Sequence, residues 1–387
     1  MKLHERLQVP VAEIDAAMEQ VVLTDPDLTD SPAVSDSILG LIRSGGKRLR
    51  PILVMIGGRF GRTDRDGYAG EAANAADAGG RPVDSDALGT AWADGSADNG
   101  GAEHVPAAQD RTYGHTGSGF AADPQLKARL IRTAVLMEYI HMASLVHDDI
   151  IDGAATRRGK PSLHTVTGVP TAVRIADYMI ARAMEWYSSH DAGEDFSPAG
   201  KVAQLVAQLC IGEYRQLEHA YNFDQNFRQY LRKTRQKTAV LMAACLTAGA
   251  EAARADKETI RTLHRVGDAM GMAFQIQDDI LDLTQDDRTL GKPAGSDLRS
   301  GNITLPVLCA LQYPKLAADI RALSPASSDS EYRRVIENIV ASPACEQAAA
   351  VRDRYIRLAE RWIGRLSRYP AHQDLLILLH HLAKRTA

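Results

Sequence analysis

Leu145-Val-His-Asp-Asp-Ile-Ile-Asp152, running on to Arg157-Arg158, decides how the rest of the chain is read. It sets three carboxylates, Asp148, Asp149 and Asp152, at the end of an apolar run from Met137 to Val146. On a helix, positions i and i+4 lie one above the other, so Asp148 and Asp152 share a face with Asp149 close beside them. The apolar run reads as a buried helix that delivers the carboxylates to a cavity. Acids this close repel one another unless a cation sits on them. A hard divalent ion with oxygen ligands suits them, and magnesium usually arrives with a substrate phosphate. Taken alone, the same cluster also fits an acidic helix end facing water.

A second copy changes the balance. Phe274-Gln-Ile-Gln-Asp-Asp-Ile-Leu-Asp282 repeats the pattern with Asp278, Asp279 and Asp282, again after an apolar helical run, Val266 to Ile276. Two copies predict two helices facing each other across one cavity, both presenting carboxylates to a shared group of metal ions. That layout grips a diphosphate, with metals neutralising the oxygens of a departing group.

Composition sets the frame. The chain has 387 residues, 45% hydrophobic and 24% charged, enough for a large core. A net charge of -4 gives no reason to expect a nucleic-acid partner. The opening Met-Lys-Leu-His-Glu-Arg has no apolar signal core, and no run approaches membrane-spanning length. A soluble, cytoplasmic protein without a transmembrane segment is the expectation. Cys210, Cys245, Cys309 and Cys345 match no metal spacing, and three of them lie in apolar helical contexts as inert core thiols. Aromatics are only 5%, and helix-period patterns run almost throughout, so the predicted class is all-α.

Along the chain, 10–23 is amphipathic, with Val11, Ile14, Met18 and Val22 on one face. A second helix is predicted over 33–43. Ser44-Gly-Gly-Lys-Arg-Leu-Arg-Pro51 then leads into an apolar helix, 52–60. Lys47, Arg48 and Arg50 put positive charge at a helix start, where free amides and the dipole favour anions; a solvated basic turn fits as well. Residues from about 61 to 124 are Ala, Gly and Asp with few large apolar side chains. Such a segment cannot bury enough surface to offset its ordering entropy. We read it as a disordered insertion in a single domain, 1–387. The helix predicted over 125–147 carries Leu130, Ala134, Met137, His141 and Leu145 along one face. His141 is two turns before Asp148 and faces the same cavity, as a ligand or as a structural histidine. Arg157-Arg158-Gly-Lys-Pro-Ser-Leu-His164 is a basic loop whose forked donors suit phosphate oxygens, or an ordinary exposed loop. Helices follow over 171–188, 201–221 (with Glu213 and Gln216) and 225–250. In the last, Lys237 and Thr238 precede an apolar stretch, so their heads line a cavity. The Gly/Pro-punctuated loop 290–306 holds Lys292 and Asp297.

No nucleophile triad, Walker loop or dinucleotide site stands out. Two carboxylate clusters, several basic patches and apolar helices beneath them suit a substrate with a phosphate head and a hydrocarbon tail. Metals and arginines would stabilise pyrophosphate as it leaves, and a dry cavity would keep water from the allylic cation.

With these motifs in this order, the chain resembles the trans-type polyprenyl diphosphate synthases. The resemblance rests on Gly45-Gly46-Lys47 to Pro51, the first aspartate motif with its Arg-Arg-Gly-Lys-Pro tail, Lys237-Thr238-Ala239, Phe274-Gln275 to Asp282, and Leu290-Gly-Lys-Pro to Pro306. It covers nearly the whole chain except the insertion. Ile140-His-Met-Ala-Ser-Leu-Val-His-Asp-Asp and Tyr221-Asn-Phe-Asp-Gln-Asn-Phe-Arg-Gln-Tyr-Leu-Arg-Lys are most similar to the large catalytic component (component II) of heptaprenyl diphosphate synthases. The resemblance implies an isoprenoid synthase fold, antiparallel helices around a central apolar cavity. It implies that Lys47, Arg50, His141 and Arg158 hold isopentenyl diphosphate. Arg157, Lys237, Thr238 and Gln275 would hold the allylic diphosphate, with Lys292 as a further substrate-binding group. Asp148, Asp152 and Asp278 would bind Mg2+, and Asp149, Asp279 and Lys237 would join them in catalysis. The implied reaction is ionisation, attack by the isopentenyl double bond and proton loss, extending farnesyl diphosphate to an all-trans-heptaprenyl chain for a menaquinone. Short-chain members tend to carry an aromatic ring near Ala143 and Ser144; both are small here, so the well is expected to be open. A small component I subunit, or a second copy, is the implied partner. Geranylgeranyl, hexaprenyl or octaprenyl products remain alternatives. A class I terpene cyclase would usually lack the second motif, and a non-catalytic subunit would have eroded carboxylates.

Overall fold

Residues 51–57 are apolar on every side, and a helix of that kind belongs at the centre of an assembly. The computed structural model describes residues 2–61, 123–157, 159–190, 199–285 and 294–384. Helices of eight residues or more are numbered in order. The first half holds α1 Val11–Leu23, α2 Pro32–Arg43, α3 Leu49–Gly57, α4 Pro124–Ile151, α5 Val169–His190 and α6 Ala199–Glu218. The second half holds α7 Phe227–Thr234, α8 Val240–Ala252, α9 Lys257–Thr284, α10 Pro314–Arg321, α11 Asp329–Val340, α12 Ala344–Gly364 and α13 His372–Ala383. Among the described residues the only strands are the two-residue pair Thr156–Arg157 and Lys160–Pro161. The all-α expectation therefore holds. No helix of the described residues is long and apolar enough to cross a membrane.

The central helix α3 is buried at Leu49 and from Pro51 to Gly57, and Ile52, Leu53, Val54, Met55 and Ile56 have no exposed surface. Burying such side chains contributes roughly 1.5–3 kcal/mol each. That anchorage fixes the Gly-Gly-Lys-Arg turn leading into it. The helix packs on α4 and α8.

Both motif helices are long, at 28 residues each, and start on acidic caps. Asp123 accepts from the amides of Gln125 and Leu126 at 2.9 Å, with Pro124 in the first turn. Asp256 accepts from the Thr259 amide at 2.8 Å. The first-motif helix continues past its expected end to Ile151, so Asp148 and Asp149 are helical and Asp152 is its C-cap. Between the two lies α8, which touches both α4 and α9, while α12 covers another side of α9.

The helix expected over 225–250 is one rod with a fault in it. Its first part, α7, starts on a capping box between Asn226 and Gln229. Arg235–Ala239 is a π turn, and α8 then resumes. Glycines admit neighbours to the turn on two sides. A Cβ on Gly212 of α6 would lie 2.9 Å from the Lys237 nitrogen, and one on Gly271 of α9 would lie 2.5 Å from the Ala239 Cα. The expected insertion at about 61–124 falls, apart from its edges, outside the described residues, as do Arg158 and Lys292.

Candidate active site

π turns that interrupt α-helices are frequent at functional sites, and this one carries Lys237 and Thr238. Lys237 Nζ lies 2.8 Å from Glu213 Oε1 and donates to Gln216 Oε1 at 3.3 Å, both on α6. Burial alone would pull the Lys237 ammonium down. Asp148, Glu213 and Asp152 outweigh that and hold it above the usual lysine range. The lysine is thus firmly cationic and within electrostatic reach of the first motif.

Asp148 is the complementary group. Burial pushes its carboxyl up to about 6, with Lys237 and Arg157 opposing and Glu213 and Asp149 adding to the rise. Its Oδ1 is shielded from solvent and accepts no hydrogen bond among the described residues. An oxygen in that condition is short of positive charge. Asp149, one position on, is turned to a different task. It is 5% exposed and accepts from Arg157 Nε at 2.7 Å, which ties the strand pair to the motif helix.

The second motif faces the other side of the π turn. Thr238 Oγ1 donates to Gln275 Oε1 at 2.7 Å. Gln275 Nε2 donates to Asp279 Oδ1 at 3.0 Å, and the Tyr230 hydroxyl donates to Asp279 Oδ2 at 2.7 Å. Burial raises the Asp279 carboxyl, against Gln275, Tyr230 and Lys233. Asp282 is likewise buried and receives Ser296 Oγ at 2.8 Å and the Asp297 amide at 3.1 Å, so it anchors the segment after the second motif. Asp278 stays half-buried, three positions from Gln275 and hence on the same side of α9. The two motifs are therefore unequal. Asp149, Asp279 and Asp282 hold the frame, whereas Asp148 keeps an oxygen that accepts no hydrogen bond among the described residues.

Lys47 is exposed, and Arg50 and His141 are half-buried. Arg50 and Glu138 both act on Cys245, whose thiol is driven up mainly by burial. The turn before α3 is held against α4 by Arg48 Nη1, which donates to Glu138 Oε1 at 3.0 Å. Arg48 leaves the basic patch to which the sequence assigned it. It is 4% exposed and bonded to Asp15, Glu138 and the Ile42 carbonyl. Below the first motif, Ala143, Ile140 and Met137 are buried; Ser144 is half-buried, its hydroxyl donating to the His141 carbonyl at 2.8 Å. A cavity of about 510 Å³ opens elsewhere, between Leu283, Arg299 and the Arg333 and Ile336 side of α11, and no described site residue lines it.

Sequence reasoning noted Glu213 and Gln216 but gave them no role. Their signal was weak: two polar residues three apart, on a helix whose partner is fixed only by the fold. Tyr230, the partner of Asp279, lay within the 221–233 stretch that carries the resemblance but was given no role of its own.

Among the described residues, no group of three His, Cys, Asp or Glu side chains is gathered closely enough to hold an ion unaided. A hard divalent cation that keeps several waters and takes substrate phosphate oxygens needs only one or two carboxylates. The unsatisfied Asp148 oxygen fits that role.

Comparison with known proteins bears on this geometry. A family model described as polyprenyl synthetase matches residues 104–341. Heptaprenyl diphosphate synthase component 2 of Bacillus subtilis is 31% identical over 373 residues, covering 96% of this chain and 87% of that protein. Among solved structures, heptaprenyl diphosphate synthase from Staphylococcus aureus superposes with a TM-score of 0.74 at 27% identity, covering 100% of this chain and 99% of that one. A polyprenyl synthase from Caulobacter crescentus CB15, complexed with calcium and isoprenyl diphosphate, also gives 0.74, at 25% identity, covering 100% and 98%.

Proposed function

The chain belongs to the polyprenyl synthetase family, and from that premise we propose the reaction in full: it is a trans-polyprenyl diphosphate synthase that extends farnesyl diphosphate with isopentenyl diphosphate to all-trans-heptaprenyl diphosphate, for a menaquinone side chain. The observation that carries the site assignment is the π turn, which puts Lys237 within electrostatic reach of Asp148 and bonds Thr238 to Gln275.

In this reading Asp148, Asp152 and Asp278 hold Mg2+ with the allylic diphosphate. The ion supplies charge neutralisation for the departing pyrophosphate. Lys237, fixed by Glu213 and Gln216, places its ammonium at the same oxygens. Arg157, oriented by Asp149, adds a forked donor. Such preorganised charges need no reorganisation when the carbon–oxygen bond breaks. Lys47, Arg50, His141 and Arg158 hold isopentenyl diphosphate, whose double bond attacks the allylic cation before a proton is lost. The growing tail runs beside Ala143 and Ser144 towards Ile140 and Met137, and the small residues at the top leave room for a long chain. Lys292 is a further substrate-binding group.

We place this activity in one cytoplasmic domain, with 61–124 as an insertion. By analogy with a relative whose name makes it one component of a synthase, a small second subunit completes the active assembly. The intact carboxylates disfavour a non-catalytic subunit, and the second motif disfavours a terpene cyclase. The test is incubation with labelled isopentenyl diphosphate and farnesyl diphosphate, with and without the candidate small subunit, and sizing of the products. Heptaprenyl product, weak alone and strong with the subunit, is expected. Cyclic hydrocarbon, or no consumption under either condition, overturns the reading. Full synthesis by the single chain would favour a homodimer.

A further inference from the structure

We propose that Arg48, Glu138 and Asp15 form a buried clasp that positions the isopentenyl-diphosphate turn, making Arg48 and Glu138 positioning residues for that substrate alone; the inference rests on the assignment of Lys47, Arg50 and His141 made above. One guanidinium ties three helices together. Arg48 Nε donates to Asp15 Oδ1 on α1 at 2.7 Å, Nη2 to the Ile42 carbonyl of α2 at 2.6 Å, and Nη1 to Glu138 Oε1 on α4 at 3.0 Å. Nη1 also lies 4.0 Å from Met142 Sδ. Glu138 is three positions before His141, and Met142 is next to it, so the clasp sits directly under that histidine's turn of helix. On the other side, Arg48 lies between Lys47 and Arg50 in the chain and is the N-cap of α3.

Two features argue for positioning rather than stability. First, the Arg48 backbone is left-handed, φ 46 and ψ 41, two residues after the pair Gly45 and Gly46, both at positive φ. A long side chain is uncommon there, and such conformations persist only where surrounding contacts over-determine them. Second, Glu138 is 2% exposed with Oε2 accepting no hydrogen bond among the described residues. A buried ion pair is weak evidence for stability, because apolar residues of similar volume often serve as well, but it can specify one geometry. The apolar α3 already anchors this region by burial. The charged pair adds a fixed direction for the turn and a fixed distance to the helix bearing His141. Lysine cannot replace it, since a single ammonium lacks the fork that reaches three helices at once.

The experiment is steady-state kinetics on the full chain in its active assembly, with melting measured alongside. Arg48→Lys and Glu138→Gln should raise KM for isopentenyl diphosphate by about tenfold or more, the size of effect typical when a supporting partner of a binding group is lost. KM for farnesyl diphosphate and kcat should change by less than about threefold. Asp15→Asn, at the 40%-exposed end of the clasp, should move the same constant less. A merely structural role would lower all parameters together with the melting temperature, or leave both KM values unchanged; either result overturns the clasp. If the two core variants do not fold, Asp15→Asn decides, and an unchanged isopentenyl KM there overturns it. Lys47→Ala separates the premise from the inference. If it leaves the isopentenyl KM unchanged, the turn is not the isopentenyl site and the clasp falls with it. If it raises that KM while the clasp variants do not, the clasp alone fails.

Discussion

Lys237 and Thr238 are neighbours in the chain, yet Lys237 bonds to Glu213 on α6, on the first-motif side, and Thr238 bonds to Gln275 within the second motif. An unbroken α-helix would also splay adjacent residues. The π turn additionally fits this point of the rod between α6 and α9, each approaching through a glycine. A single turn of a third helix thus bonds to the second motif and carries a lysine within electrostatic reach of the first.

Gly212→Ala should break that arrangement. Its Cβ would meet main-chain atoms of Gln236 and Lys237 at about 3 Å, not a flexible side chain. Overpacking of this kind costs about 1–3 kcal/mol, and the displaced Lys237 should cost activity beyond that. A lower melting temperature with at least about a tenfold loss in kcat is expected, in line with the loss of a supporting partner. Wild-type kinetics in a folded variant would show that Lys237 does not depend on the α6 contact.

Asp148→Asn should separate catalysis from stability. Removing the charged ligand should cost about a hundredfold or more in rate, the scale of a lost electrostatic contact to the transition state. An amide is cheaper to bury than the carboxylate, whose pKa burial already lifts to about 6. The melting temperature of the metal-free variant should therefore equal or exceed that of the wild type. Near-normal turnover would sink the assignment.

The sequence made the motif helices legible because each joins an apolar run to a carboxylate cluster at helical spacing. It could not reveal how the carboxylates divide their work. Asp148 and Asp149 are indistinguishable as letters, and only the neighbouring Arg157 makes one a strut. Asp279 and Asp282 are absorbed by Tyr230, Gln275 and Ser296, the first and last far from them in the chain. The π turn left no compositional trace, since it is a shift in hydrogen-bond register. Arg48 read as one of three equivalent cations, and a left-handed backbone with partners 33 and 90 positions away is what singles it out.

Metal and diphosphate should bind together. With no three-ligand cluster among the described residues, Mg2+ alone should shift the melting temperature little. Mg2+ with inorganic pyrophosphate should shift it clearly, because phosphate oxygens complete the coordination. Chelation should abolish turnover without unfolding the chain. A large stabilisation by the ion alone would mean that the carboxylates form a site unaided.

Deletion of residues 65–120 tests the insertion. An Ala/Gly/Asp-rich segment contributes little burial, so the melting temperature and catalytic constants should stay near those of the full chain. A large fall in melting temperature would make the segment part of the folded domain.

Product length gives the last test. Ala143 lies five residues before Asp148, a little over one turn of roughly 5 Å, and one turn is about the length of one isoprene unit. If the tail descends along this face, a ring at position 143 should block it near the top. Ala143→Tyr should then yield farnesyl- or geranylgeranyl-sized product while isopentenyl consumption continues. Ala143 has no exposed surface, so a large ring there risks a packing cost of about 1–3 kcal/mol. Ser144→Phe, at the half-buried neighbour, offers the same block with less crowding. Shortened products from either folded variant would place the well along Ser144, Ala143 and Ile140. Unchanged heptaprenyl product from both would move the tail to another face. Wild-type product already stopping at geranylgeranyl size would show that the floor lies higher than these small side chains suggest.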